Sequence, residues 1–218
     1  VRNIRYFTEE LRGTRSTPCI GLVLSGVGVT TRSDVPNAID LSRSLGIDTV
    51  VLHAGGEDIL SIDPLRFTGR ADRIVVPVQP ESGQLTALAR TMRNVKAAGI
   101  KVSANTVLTS NALPLLQPMA RALAKAKPES LTFTYPFPIT GNESTSAPSP
   151  PRVMTALRTV LPDLDRAGIR IQIKGLPACH LGSEGHRLAK TQNRYYVDAD
   201  HQEQDALMFF PDVVRFHK

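Results

Sequence analysis

Val50-Val51-Leu52-His53-Ala54-Gly55-Gly56-Glu57-Asp58 passes from an apolar run straight into two glycines and two acids. A valine-rich run of this kind has the composition of a strand buried on both faces of a parallel sheet. The glycines let the backbone leave the strand at unusual angles and let a ligand approach the main chain. Glu57 then stands at the carboxyl end of a strand, where α/β proteins keep their chemistry. The plainer reading of the same residues is a tight strand-to-helix turn in which Glu57 caps the turn that follows.

Working outward, a repeated junction sets the architecture. Leu45-Gly46-Ile47, Ala98-Gly99-Ile100 and Ala167-Gly168-Ile169 each precede an apolar, strand-like run. In each, a glycine closes a helix and a strand begins at once, the signature of repeated αβ units. Strands are expected at about residues 19–25, 49–53, 73–78, 102–108, 131–135 and 171–174. Between them, Ser33 or Asp34 is expected to cap a helix with Pro36 in its first turn, Ser82 a second and Asn111 a third. Pro148, Pro150 and Pro151 lead into a fourth helix, which carries Pro162 and is expected to bend there. The segment after Glu57 has the weakest helical pattern. Six strands in this order predict an α/β fold, a partial (βα)6 TIM-like barrel of parallel strands with a C-terminal extension; the competing architecture is an open doubly wound sheet. Residues 1–18 read as a polar, basic lead-in, 19–182 as the barrel and 183–218 as the extension. The aromatic runs at 193–198 and 206–211 would close or cap the barrel's open side.

Composition narrows the class. The chain is 41% hydrophobic with two cysteines, Cys19 and Cys179. No window approaches the roughly 18 apolar residues of a membrane span, so no membrane association is expected. Val1-Arg-Asn-Ile-Arg-Tyr-Phe has no apolar leader core, which with the low cysteine count fits a reducing cytoplasm. A formal charge of +6 and a pI near 9.6 invite a nucleic-acid reading. The basic residues are nonetheless scattered and only 5% of residues are aromatic, so the charge reads as scattered surface arginine rather than a nucleic-acid site, with an anionic small ligand or an acidic peptide as the alternative partner.

The residues at the strand ends are Gly55, Gly56 and Glu57, Gln79 and Glu81, Ser103 and Asn105, Tyr135 and Lys174. An acid, amides, a hydroxyl and a lysine on one rim can hold a small zwitterion carrying a sugar. Three other groupings carry less. Cys179-His180 with His186 matches no common zinc spacing. Asp198, Asp200, His201, Glu203 and Asp205 read either as a solvated acidic turn or as ligands of a divalent ion. Gly26-Val27-Gly28 lacks the third glycine of a dinucleotide fingerprint.

The order of these features resembles the core of the radical S-adenosylmethionine superfamily, over about residues 19–182. Gly55-Gly56-Glu57 is similar to the glycine-rich motif that holds the amino group of the methionine moiety. Val102-Ser103-Ala104-Asn105-Thr106-Val107-Leu108, followed by Asn111, resembles the fourth strand, whose polar residues contact the ribose. Phe133 to Gly141, with Tyr135, looks like the fifth strand and its proline-glycine exit; Ile173-Lys174-Gly175 to Cys179 looks like the sixth, beside the adenine. The resemblance implies S-adenosylmethionine as cofactor and a [4Fe–4S] cluster held by a C-x-x-x-C-x-x-C loop after the first strand. Here that strand is expected to end at Ser25 and to be followed only by the short loop from Gly26 to Arg32, which has no cysteine. Either the loop has been lost or a segment is missing between Ser25 and Gly26. Three functions stay open: a radical enzyme acting on a peptide or small molecule, a cluster-free pseudoenzyme binding S-adenosylmethionine, a peptide or a partner subunit, and a barrel enzyme using a divalent metal.

Overall fold

The structure, a computed structural model, describes residues 21–136, 147–189, 194–195 and 209–210. Six parallel strands make one sheet: β1 (Gly21–Val27), β2 (Thr49–Gly55), β3 (Arg73–Pro77), β4 (Lys101–Val107), β5 (Ser130–Thr134) and β6 (Arg170–Lys174). Their spatial order is their chain order, β1-β2-β3-β4-β5-β6. A doubly wound sheet must reverse direction at a switch point. With none, right-handed crossovers place every helix on one face and the sheet curls as part of a barrel.

Among the described residues the α-helices are α1 (Val35–Ser44), α2 (Leu85–Ala97), α3 (Leu116–Ala126), α4 (Pro150–Arg166) and the single turn α5 (Ala178–Leu181). The three Gly-Ile junctions are one device repeated. Gly46, Gly99 and Gly168 have φ near +80°. The amides of Ile47, Ile100 and Ile169 reach back to the carbonyls of Ser42, Val95 and Leu164 at 3.1–3.3 Å. That is a Schellman closure, and each buried isoleucine starts the approach to the next strand. Where a glycine is lacking, after α3, Lys127 takes the left-handed conformation instead, at φ 49°.

Several features differ from expectation. The strands are not buried on both faces: Val50, Leu52 and Ala54 lie under the helices, while Val51, His53 and Gly55 are only half-buried on the other face, which is helix-free among the described residues. β1 is an edge, with Val23 45% and Val27 90% exposed, because among the described residues its one ladder partner is β2. The link from β2 to β3 is two 3₁₀ turns, Gly56–Ser61 and Pro64–Phe67. The helix caps also differ. Asp34 occupies the N-cap of α1 without capping it, since Arg32 holds its carboxylate at 2.7 Å. α2 begins at Leu85, past Ser82. Before α3, Thr109 accepts the amide of Ala112 at 3.0 Å, the part foreseen for Asn111. α4 carries Pro162 in its interior, where the sequence places it.

At the amino-terminal end of the sheet, Asp72 ties β2 to the start of β3, accepting the Val50 amide at 2.6 Å and Arg43 Nη2 at 2.6 Å. Arg43 also donates to the carbonyls of Ile47, Asp48 and Arg70. Beyond β6, Leu188 forms a single parallel bridge to Ile173, and Ala189 donates to the Ile173 carbonyl at 2.8 Å. Arg187 anchors this return to Asp165 of α4 and to Glu184 at 2.6–2.7 Å. Burial works against the Arg187 cation, but the two carboxylates outweigh it and raise its pKa. In the extension, Arg194–Tyr195 and Phe209–Phe210 pair antiparallel. Cys19, the acids at 198–205, and 137–141 of the fifth-strand exit lie outside the described residues.

Candidate functional site

A parallel sheet with helices on one face leaves the other face and the carboxyl-terminal rim for a ligand. The strand alternation decides which side chains point there. In Ser130-Leu131-Thr132-Phe133-Thr134 and Arg170-Ile171-Gln172-Ile173-Lys174, the apolar residues are buried under the helices and the polar ones alternate with them. Register then sets rows across the sheet: Pro77–Asn105–Thr132–Gln172, and above it Val107–Thr134–Lys174. Thr134 Oγ1 donates to Asn105 Oδ1 at 2.9 Å and so links the two rows. Thr132, Thr134 and Gln172 were not among the expected site residues, although the period-2 alternation of these two strands places them on Asn105's face.

Asn105 and Lys174 share one sheet face through Thr134, whereas Tyr135, one residue beyond Thr134, packs against the core. The Tyr135 amide donates to the Lys174 carbonyl at 2.8 Å, and its hydroxyl to the Pro148 carbonyl at 2.9 Å. The Lys174 side chain is exposed. Gly55, Gly56 and Glu57 stand across β3 on the β2 side. Ser103 is set apart from both groups. It sits one row deeper, 6% exposed, with its hydroxyl 2.8 Å from that of Ser130 and accepting Arg73 Nη1 at 2.5 Å. Arg73 is held in turn by Glu129 at 2.9 Å. This cluster plugs the floor beneath the rim.

The two glycines have separate reasons. A Cβ on Gly55 would lie 2.6 Å from the Gly26 carbonyl oxygen, because the ends of β1 and β2 touch there. Gly56 has φ +59° and open space where a side chain would start. Next to them, Asp58 Oδ2 accepts the buried Thr30 hydroxyl at 3.1 Å. Asp58 Oδ1 is buried without a hydrogen-bond partner among the described residues.

The segment after β1 is a closed turn. The Gly28 carbonyl accepts the amides of Thr31 and Arg32 at 3.0 and 2.9 Å, and the Thr31 hydroxyl at 3.1 Å. Arg66 donates to the carbonyls of Thr31 and Arg32 at 3.0 and 2.6 Å. Hydrogen bonding from Arg32 holds the Asp34 carboxyl below its ordinary range. β1 continues through Ser25 and Gly26 to Val27, paired with Gly55, two residues beyond the expected strand end. An iron–sulfur cluster needs thiolates. None lies between Gly21 and Asp34, and Cys179 is exposed on α5, past the far strand. The described residues do not fit a cluster. They also contain no group of three His, Cys, Asp or Glu placed to hold a metal ion, which leaves Cys179, His180 and His186 without a site. No described helix is long and apolar enough to cross a membrane.

No protein-family model matches the chain, and neither does any curated protein. Among solved structures it is similar to SuiB of Streptococcus suis bound to S-adenosylmethionine, at TM-score 0.60 and 11% identity. A second structure of SuiB gives TM-score 0.57, also at 11% identity. Both likenesses cover 82% of this chain and 44% of SuiB. At this identity the likeness is one of fold, and the chain spans less than half the length of the protein it matches.

Proposed function

We propose that this chain is a barrel of the radical S-adenosylmethionine type that binds S-adenosylmethionine on the helix-free face of β2–β6. The observation that carries this reading is the hydrogen bond joining Asn105 to Thr134, the register partner of Lys174, on the sheet face that also holds Gly55. The sheet around that row has the fold of a SuiB structure that holds the same molecule. The residues suit a zwitterion with a sugar. The open backbone at Gly56 can take the ammonium, with Glu57 next in the chain and then Asp58, whose Oδ1 has no hydrogen-bond partner among the described residues. Asn105 and Thr134 can take the ribose hydroxyls, and Lys174 and Tyr135 border the far end. Ser103 belongs to the floor and supports the row from below.

Calorimetric titration of the full chain with S-adenosylmethionine tests this. Glu57→Ala and Asn105→Leu are each expected to weaken binding at least tenfold, about 1.4 kcal/mol, with an unchanged circular dichroism spectrum. Saturable binding that neither variant alters would sink the site, and no binding at all would sink the function.

The closed turn after β1 favours binding without cleavage. Radical chemistry on a peptide or small molecule would require three thiolates, and these 218 residues hold two cysteines. After anaerobic treatment with iron, sulfide and dithionite, the chain is expected to gain no iron–sulfur absorption and to release no 5′-deoxyadenosine. Release of deoxyadenosine would restore the enzyme reading.

A further inference from the structure

The basic residues are scattered along the chain, but the acidic ones are not. Residues 82–128 contain no Asp and no Glu, yet hold seven of the chain's 26 Lys and Arg; the rest of the chain, with 19 cations against 20 acids, is nearly neutral. The net positive charge therefore resides in one continuous unit, α2–β4–α3.

The fold gathers that charge on one surface. Arg90 and Arg93 are three apart on α2, Arg121 and Lys125 four apart on α3, and all four are exposed. Those spacings put each pair on one helix face. α2 packs against α3, and Lys96 latches their ends by donating to the Ala126 and Lys127 carbonyls at 3.4 and 2.6 Å. Lys96 thus completes a helix terminus, which is a structural use of one cation. Arg90, Arg93, Lys101, Arg121 and Lys125 have no carboxylate partner among the described residues. Elsewhere Arg32, Arg70 and Arg166 are paired with Asp34, Asp40 and Asp163, while Arg152, Arg158 and Arg170 are exposed without a carboxylate partner among the described residues. A face built from a stretch without Asp or Glu carries uncompensated like-charge repulsion.

We infer that the outer surface of α2 and α3 docks an acidic segment of a partner polypeptide. The chemistry selects this occupant. Residues 82–128 contain no Phe, Tyr or Trp, so the face offers no platform for stacked bases. The apolar sides of both helices are spent on the core through Leu88, Met92 and Val95, and Leu116, Met119 and Leu123. Nothing is left to insert into a lipid surface. What remains is two adjacent rows of cations at helical spacing, complementary to carboxylates at the same spacing on a facing helix. The face lies on the helix layer, away from the strand-end rim, so docking does not depend on the ligand site.

The test uses the full chain and fluorescein-labelled poly-L-glutamate, followed by anisotropy at low and at physiological salt. Arg90→Glu/Arg121→Glu is expected to weaken binding at least tenfold. Arg152→Glu/Arg158→Glu, exposed on α4 and equal in charge change, should weaken it less than threefold. Equal losses from the two variants would reduce the effect to net charge and overturn the inference. So would tighter binding to a DNA duplex or to vesicles containing phosphatidylserine than to poly-L-glutamate. Calorimetry with S-adenosylmethionine on the same variants should be unchanged, which separates this surface from the rim.

Discussion

Gly55→Val is expected to lower unfolding free energy by about 3 kcal/mol, at the upper end for overpacking, read as a lower urea midpoint with an unchanged slope. The obstacle is main chain. The added Cβ would meet the Gly26 oxygen, the Gly26 carbonyl carbon and the Val27 nitrogen at 2.6–2.8 Å. Those atoms belong to the paired end of β1, where Val27 is in register with Gly55, so relief requires the two strands to part. Gly55→Ala should cost about 2 kcal/mol by the same contact. Gly56→Ala is the informative contrast. It meets nothing within 4 Å, and its cost is the left-handed conformation alone, about 1 kcal/mol. A stability ranking with Gly56→Ala below Gly55→Val would show that the two strand ends do not touch.

Asp72→Ala is expected to cost about 2 kcal/mol, by loss of a charge-assisted hydrogen bond and exposure of an unpaired donor. Two donors lose their acceptor together: the amide of fully buried Val50 and Arg43 Nη2. The Asp72 side chain is 42% exposed, so solvent screens its pairing with Arg43, and most of the loss belongs to the amide. Asp72→Asn keeps an acceptor for Val50 and should lose less than half as much. Equal losses for alanine and asparagine would assign the stabilisation to the ion pair instead.

The two ends of the barrel were unequally legible. The three Gly-Ile junctions specify local geometry, since the left-handed glycine and the isoleucine amide five residues beyond its acceptor are set by chain spacing alone. Six strands could therefore be counted from the sequence. The caps could not be assigned the same way, because Asp34 and Thr109 had rivals for their bonds. Arg32 claimed the one carboxylate, and the turn after β4 brought the hydroxyl of Thr109, not Asn111, to a free amide.

The rim residues were recognisable as polar groups at strand ends, but their grouping was not. Ser103 and Asn105 are two apart and share a face. Only the register against β3 and β5 shows that one is sealed by Arg73 and Ser130 while the other meets Thr134 in the open row.

The sequence by itself determined the αβ repeat, the direction of the sheet and the absence of cluster thiolates after β1, because each depends on residue type and local spacing. Tertiary structure alone decided that the sheet winds one way without a switch point, that β1 is an exposed edge, and that Gly55 is required by contact with Gly26. Those are relations between segments far apart in the chain, fixed by which strands pair and how closely their backbones approach.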